Sequence, residues 1–368
     1  MKIALYQNLP PGGALRYMRE VVARSSLEHD YTEFLPSYVE RDWILRPLTN
    51  ALSVASEERR LAAEIDAGDF DVAFVHGCRV MQAPGLLSML KTPSVYMIQE
   101  PRRRTTEQGY HPGSKRRAGL AAAAWSIGRG SYDAILGRRD RKAVASASAL
   151  ACNSMFSAKN IARAYGREAS VCYAGIDTDR FRPDETKTPL RSYYLSVGAL
   201  DASKGHDLAI EAVGRLTNGA KLPLVIVGSR TSTETADALQ RLARERCVGL
   251  QMRHSVTDED LVVLYRGAAA VLCMAHLEPF GLTVQEAVSC GTPVVAVREG
   301  GYRETVADGR NGLTAEREPS AVADAITRLS SLGLARNPSA LHATAARWDW
   351  DMTVKRLHEV LASVSGRK

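Results

Sequence analysis

The chain has 368 residues, 45% of them apolar and 24% charged. That balance excludes a disordered chain, a collagen and a disulfide-stapled miniprotein, and the length predicts two domains. The net charge is +7, yet residues 102–142 alone hold 11 Lys/Arg against three acids (Glu107, Asp133 and Asp140), so the rest of the chain sums to −1. In chain order, the first strand reads as Ile3–Tyr6, followed by Pro11-Gly12-Gly13. The opening MKIALYQNLPPGG carries too short an apolar run for a signal peptide, and no stretch approaches the ~20 apolar residues that span a bilayer. Further strands are expected at Val72–Val75, Ser94–Ile98, Leu150–Cys152 and Val171–Tyr173. After the Pro-containing stretch Phe181–Pro189 a second set follows at Tyr193–Val197, Leu224–Val227, Leu250–Arg253, Ala270–Met274 and Val294–Val297. Amphipathic helices are expected at Asp207–Leu216, Thr233–Glu245 and Asp258–Arg266, and another at Met352–Val364 with Trp348 and Trp350 as packing anchors. β-Branched runs alternating with helices predict parallel sheets covered on both faces. Two such sets predict an α/β protein of two doubly wound domains. Six cysteines (Cys78, Cys152, Cys172, Cys247, Cys273 and Cys290) stand singly with no CxxC pair and read as buried, reduced thiols of a cytoplasmic protein.

In open α/β sheets ligands bind beyond the carboxyl ends of the strands, so chemistry is sought in the loops there. The most informative stretch runs from His276 to Ala287, between the strand Ala270–Met274 and a helix that ends at Gly291-Thr292-Pro293. A helix N-terminus at Gly281, Leu282 and Thr283 offers unpaired N–H groups to an anion. Glu278 lies just before it and Glu286 about one turn inside it. Two carboxylates flanking a phosphate-accepting turn suit hydroxyls rather than phosphate.

These residues resemble the GT-B glycosyltransferases, specifically the retaining enzymes of family 4. Glu278-Pro-Phe-Gly-Leu-Thr-Val-Gln-Glu286 is similar to the family's E-x7-E signature, continued by Gly291-Thr-Pro-Val-Val-Ala and Gly300-Gly301. Asn153-Ser154 to Gly166 and Gly175-Ile-Asp-Thr-Asp-Arg-Phe181 resemble the segment leading into the interdomain linker. Gly198-Ala-Leu-Asp-Ala-Ser-Lys204-Gly205 looks like the first strand–loop of the nucleotide-binding domain, and Pro11-Gly12-Gly13 like the glycine loop of the other domain. The resemblance implies two Rossmann-like domains facing across a cleft. An acceptor domain would span 1–185, with a C-terminal helix at about 346–368 packing back on it, and a donor domain 186–345.

It further implies that Glu278 hydrogen-bonds the donor sugar and Glu286 the ribose. Backbone amides at Phe280, Gly281, Leu282 and Thr283 would hold sugar and pyrophosphate, Lys204 would neutralise the leaving diphosphate, and Gly12 and Gly13 would close over pyrophosphate and acceptor. The catalytic pair is thus Glu278 and Lys204, and the donor is a nucleotide-diphosphate sugar of UDP or GDP. Taken singly, Lys204 reads as a solvated lysine and Gly12-Gly13 as a turn; joint order and spacing decide for the site. Three departures stand out. Ala199 replaces a frequent arginine, with Arg230 a candidate substitute; Gln99 replaces a histidine before Glu100-Pro101; Arg253-His254 stand where glycine is usual. Gln99 cannot take a proton, which suits a retaining reaction in which the departing diphosphate does so. Gln99, Glu100 and His76 remain acceptor-side candidates, His76 being equally readable as a histidine satisfied at a strand end.

No metal is expected. Asp177-Thr-Asp179 and Asp69-Phe-Asp71 have D-x-D spacing but read as turn residues, and Lys204 with a helix N-terminus supplies positive charge. The basic segment 102–142, with Trp125 among its charges, suits an anionic membrane surface or an anionic acceptor, or else is a solvated helical face. No nucleic-acid signature accompanies it. The acceptor is a glycan, a lipid-linked sugar or a small aglycone, and the protein is expected in the cytoplasm, peripheral on the inner membrane face. A nucleotide-sugar epimerase, a phosphorylase and a non-catalytic nucleotide-binding module remain as alternatives.

Overall fold

The computed structural model describes the chain except residues 11, 38–45, 80–81, 103–133, 185, 187–189, 218, 229–232 and 366–368, and the side chains of 46–52 and 233. It divides into two compact units, Met1–Gly175 with Trp350–Lys368, and Ile176–Asp349. The divisions fall at Gly175/Ile176 and Asp349/Trp350, where the sequence suggested 185/186 and about 345/346.

In the first unit six parallel strands are ordered β2-β1-β3-β4-β5-β6. They are β1 (Lys2–Asn8), β2 (Asp30–Phe34), β3 (Val72–Cys78), β4 (Ser94–Ile98), β5 (Ala149–Cys152) and β6 (Ser170–Val171). Ile3–Tyr6, Val72–Val75 and Val95–Ile98 are buried throughout, as helices on both faces of a parallel sheet require. Helices Gly13–Ser25, Arg46–Ala67, 134–146 and Met155–Tyr165 lie between the strands. Leu61, Ile65, Val144 and Ile161 pack with Tyr6, Val75 and Tyr96 in one core. The C-terminal helix Trp350–Val364 belongs to this unit: the Trp350 ring meets Tyr17 edge-on at 5.7 Å, and Thr353 donates to the Tyr173 carbonyl at 2.6 Å. In the sixth strand pairing covers Ser170–Val171 rather than Val171–Tyr173.

The second sheet is also parallel, ordered β12-β11-β10-β7-β8-β9. Its strands are β7 (Tyr193–Val197), β8 (Leu224–Gly228), β9 (Leu250–His254), β10 (Ala268–Cys273), β11 (Val294–Val297) and β12 (Gly312–Ala315). Strand order therefore reverses between the neighbours β7 and β10, which is where such sheets open a crevice at their carboxyl ends. In the first sheet the corresponding point lies between β1 and β3. Five cysteines are buried, as expected, but Cys247 is exposed. It follows the helix Thr233–Glu245 in a left-handed turn, φ +52°, that carries the chain towards β9.

Candidate active site

Lys204 and Glu278 come from the two loops that bracket the β7/β10 crevice. After β7 the chain makes a single turn, Ala202–Lys204, capped by the Asp201 carboxylate on the Ser203 N–H at 2.8 Å. Gly205 then turns with φ +66°, and a Cβ there would lie 2.1 Å from the Met274 carbonyl. Only glycine permits this approach, and it sets Lys204 beside the end of β10. His206, buried in the helix His206–Gly214, bonds Ser196 Oγ at 2.9 Å and the Ala199 carbonyl at 3.1 Å, tying the loop to β7. After β10, the His276 N–H donates to the Ser203 carbonyl at 2.7 Å, joining the two loops. Lys204 Nζ then reaches Glu278 Oε2 at 2.7 Å, with the two side chains 30% and 22% exposed. An ion pair this accessible is not sealed into the core: the ammonium can turn to an incoming anion and the carboxylate to hydroxyls.

Gly281, φ +96°, starts the helix Leu282–Ser289 without a side-chain cap. Of its first N–H groups, that of Val284 donates to the Gly281 carbonyl at 3.0 Å, while those of Leu282 and Thr283 precede the first intrahelical acceptor. Phe280 is a core residue, its ring packed edge-on to Trp348 at 5.2 Å, so only its backbone is available to a ligand. Leu282 and Thr283 are partly exposed. Glu286 is 4% exposed and accepts a 2.6 Å hydrogen bond from Tyr265, a fully buried phenol of the helix Asp258–Gly267. Burial, then the neighbouring Glu286 carboxylate, raises the Tyr265 pKa well above the usual phenol value, so Tyr265 stays a donor.

Glu299, after β11, gathers the Glu278 loop. Its Oε2 accepts from His276 Nδ1 at 2.8 Å and from the Leu277 N–H at 3.3 Å, and lies 3.5 Å from Arg317 Nη1. Because a carboxylate only accepts, His276 carries its proton on Nδ1. Arg317 also donates to the Met274 carbonyl at 3.0 Å.

In the first unit Gly12 and Gly13 are exposed at the start of the helix Gly13–Ser25, next to the β1/β3 crevice, and Gly12 has φ +153°. A Cβ on Gly12 would meet nothing within 4 Å. His76, on β3, is 0% exposed, lies edge-on to Phe74 at 4.5 Å, and neither ring nitrogen has a hydrogen-bond partner among the described residues. Desolvation pulls its pKa to about 3. His76 is therefore a neutral core residue. It is neither open to an acceptor nor satisfied by hydrogen bonds, which departs from both readings of the sequence. Gln99 follows β4, and its Oε1 accepts from Asn153 Nδ2 at 2.5 Å while its buried Nε2 has no partner among the described residues. Glu100 is partly exposed and its carbonyl accepts from Gln82 Nε2 at 2.8 Å.

A family profile described as "Glycosyl transferases group 1" matches residues 177–345, nearly the whole second unit. Across both units the structure is similar to HepE of Anabaena, solved with UDP and glucose (17% identity, TM-score 0.74, 99% of this chain and 100% of that one), and to the sucrose-phosphate synthase of Thermosynechococcus elongatus (17% identity, TM-score 0.76, 98% of each). The fold is GT-B, two Rossmann-like domains in one chain. In sequence the chain is similar to the D-inositol 3-phosphate glycosyltransferase of Acidothermus cellulolyticus, 32% identical over 60% of this chain and 54% of that one. The chain spans about half the length of the curated relatives it matches.

Within the second unit the structure brings together Lys204, Glu278 and the Gly281–Thr283 turn, and seats Glu286 behind them in the same helix. Tyr265, Glu299 and Arg317 were not foreseen. The one signal for Tyr265 was chemical, since a carboxylate on a buried helix face needs a donor. Arg230 and Trp125 lie outside the described residues. Arg253 and His254 are exposed at the end of β9. Of the D-x-D pairs, Asp177 caps the Arg180 N–H at 3.1 Å, Asp71 accepts from the Lys2 N–H at 2.9 Å, and Asp69 pairs with Lys2 Nζ at 2.8 Å. The described part of the basic segment, helix 134–146, exposes Ile135, Arg138, Arg139, Arg141 and Lys142. Its acid Asp140 is buried, accepting from Tyr165 at 2.7 Å and the Ala83 N–H at 3.2 Å. No described helix is long and apolar enough to cross a membrane.

Proposed function

We propose that this protein is a retaining glycosyltransferase that moves a sugar from a nucleotide-diphosphate donor to a hydroxyl acceptor. The observation that carries the reading is the Lys204–Glu278 pair at the mouth of the β7/β10 crevice, beside a bare helix N-terminus. Lys204 and the Leu282–Ser289 N-terminus hold the diphosphate, Glu278 binds sugar hydroxyls, and Glu286, fixed by Tyr265, binds the ribose. In the reaction the bond from the anomeric carbon to the diphosphate oxygen breaks, and the acceptor oxygen bonds to that carbon on the same face. The acceptor proton passes to the departing oxygen, whose growing charge Lys204 stabilises. Gln99 needs no basicity in this scheme, and no metal is required because Lys204 and the helix supply the charge. Transfer therefore continues in EDTA.

The complexes of HepE with UDP and with UDP-glucose make UDP-hexoses the first donors to try, before GDP-sugars. The relatives' name makes a phosphorylated cyclitol the first acceptor. Acceptor binding is assigned to the first unit, with Gly12, Gly13, Gln99 and Glu100 at its strand ends. Its cationic helix 134–146 supports attachment to an anionic bilayer, as expected of an enzyme peripheral on the inner membrane face. Flotation with anionic but not neutral vesicles is expected, and equal binding to both removes the electrostatic attachment. Proton NMR of the product made from an α-linked donor tests the mechanism. An α-linked product supports it, and a β-linked product replaces it with inversion. Interconversion of nucleotide sugars without acceptor indicates an epimerase instead.

A further inference from the structure

Leu277 is a left-handed non-glycine residue, φ +47°, directly before Glu278. A branched L-residue holds that conformation only where its surroundings impose it. Here one carboxylate oxygen ties the turn. Glu299 Oε2 takes the Leu277 N–H and the His276 Nδ1–H, and Arg317 holds the same oxygen at 3.5 Å while bonding the end of β10. The neighbouring Gly300 and Gly301 interleave with the same loop. The Gly301 N–H donates to the Glu278 carbonyl at 2.7 Å, and a Cβ on Gly300 would lie 2.4 Å from that carbonyl. The backbone on both sides of Glu278 is thus clamped to residues 299–301, and the only charged side chain in the clamp on that strand-end loop is Glu299.

We propose that Glu299 is a positioning residue for donor-sugar recognition, holding Leu277 left-handed and so aiming the Glu278 carboxylate. Glu299 has no part in the Glu286–Tyr265 contact, which comes from the helices Leu282–Ser289 and Asp258–Gly267. Sugar recognition and nucleotide recognition are therefore separable by mutation. The proposal rests on the donor-site assignment above.

The test measures, for wild type, Glu299→Ala, Glu299→Gln, Leu277→Asn and the double variant Glu299→Ala/Leu277→Asn, the affinity for UDP, the affinity for UDP-glucose and kcat for transfer. GDP and GDP-mannose serve if UDP does not bind. Glu299→Ala is expected to keep the nucleoside diphosphate affinity within about twofold while kcat falls on the order of tenfold or more, the scale of a small misplacement at a reacting centre. The extra affinity that the sugar adds falls with it. Glu299→Gln, which still accepts from Leu277, recovers part of the loss. Asparagine adopts positive φ readily, so Leu277→Asn costs less in the Glu299→Ala background than alone, or restores activity there. Equal loss of affinity for both ligands, unchanged kcat, or additive single and double variants each overturns the positioning role. If wild type binds none of the four ligands, the donor-site assignment itself has failed, which the variants' behaviour cannot imitate.

Discussion

The two Rossmann-like units use the carboxyl ends of their strands in opposite ways. In the second unit the loops after β7, β10 and β11 are cross-tied by charged and backbone hydrogen bonds: His276 to Ser203, Lys204 to Glu278, Glu299 to His276 and Leu277. In the first unit His76 and Gln99, at the corresponding strand ends, are held by burial and neutral hydrogen bonds. His76 is sealed against Phe74 with both nitrogens unpartnered among the described residues, and Gln99 uses one side of its amide on Asn153. Under the proposed function the difference separates two tasks. A diphosphate that departs with growing negative charge needs positive charge and donors fixed beforehand. A neutral hydroxyl that gives its proton to that leaving group needs a shaped, weakly polar surface.

Four substitutions break or sharpen this contrast. The largest effect is expected from Lys204→Ala, which removes the cation proposed to face the leaving group. Transfer should slow by about 10²–10³-fold with unfolding in urea unchanged, because the pair it breaks is partly exposed and worth little to stability. Tyr265→Phe removes the phenol hydroxyl that donates to the buried Glu286 and should cost about 1–3 kcal/mol of stability, read as a lower urea midpoint, together with weaker nucleotide binding.

His76 makes the contrast visible in pH. Its folded pKa, about 3, lies below the usual 6.5. Above pH 6.5 the ring is neutral in both states. As pH falls from 6.5 towards 3 the unfolded chain takes a proton that the folded chain refuses, so stability is lost through that window at up to about 1.4 kcal/mol per pH unit. Glu58 acts with the opposite sign. Desolvation raises it from 4.5 to about 7, so its contribution is complete below 4.5 and is lost as pH rises to 7. The two slopes offset each other between 4.5 and 6.5. His76→Gln should therefore flatten the curve between pH 3 and 4.5 and, between 4.5 and 6.5, unmask the Glu58 slope so that stability rises as pH falls, measured as urea midpoints from pH 3 to 7; an unchanged profile would mean that His76 takes its proton as readily in the folded chain as in the unfolded one. The smallest effect belongs to Gln99→Ala. A few-fold rise in acceptor KM, about 1 kcal/mol, is expected with donor KM unchanged.

The residues that were legible in the sequence are those whose partners are close in the chain. The Glu278–Glu286 stretch announces itself because strand, glycine turn and helix follow one another, and Gly205 sits beside Lys204. The strands Ser94–Ile98, Tyr193–Val197 and Val294–Val297 read to the residue because they are apolar on both faces. β2 was missed since only Phe34 of its five residues is buried and two are acids, and β12 since it opens on glycine. Tyr265 and Arg317 stayed hidden for another reason. Their partners lie 21 and 43 residues away, and only the tertiary fold brings them together. Cys247 was misjudged because Val248 and Leu250 follow it, whereas Arg244–Arg246 precede it and the left-handed turn it occupies leaves it exposed.

The account stands on the charged pair at the β7/β10 crevice, and nucleotide-induced thermal stabilisation tests it most directly. UDP, GDP, ADP and dTDP would be compared on wild type and Lys204→Ala, each without and with Mg²⁺. The account predicts that one of them raises the wild-type melting temperature without metal, with about 2.7 kcal/mol of stabilisation at 100 times its dissociation constant, and that Lys204→Ala loses most of that shift. No shift with any nucleotide, or an equal shift in both proteins, would contradict it.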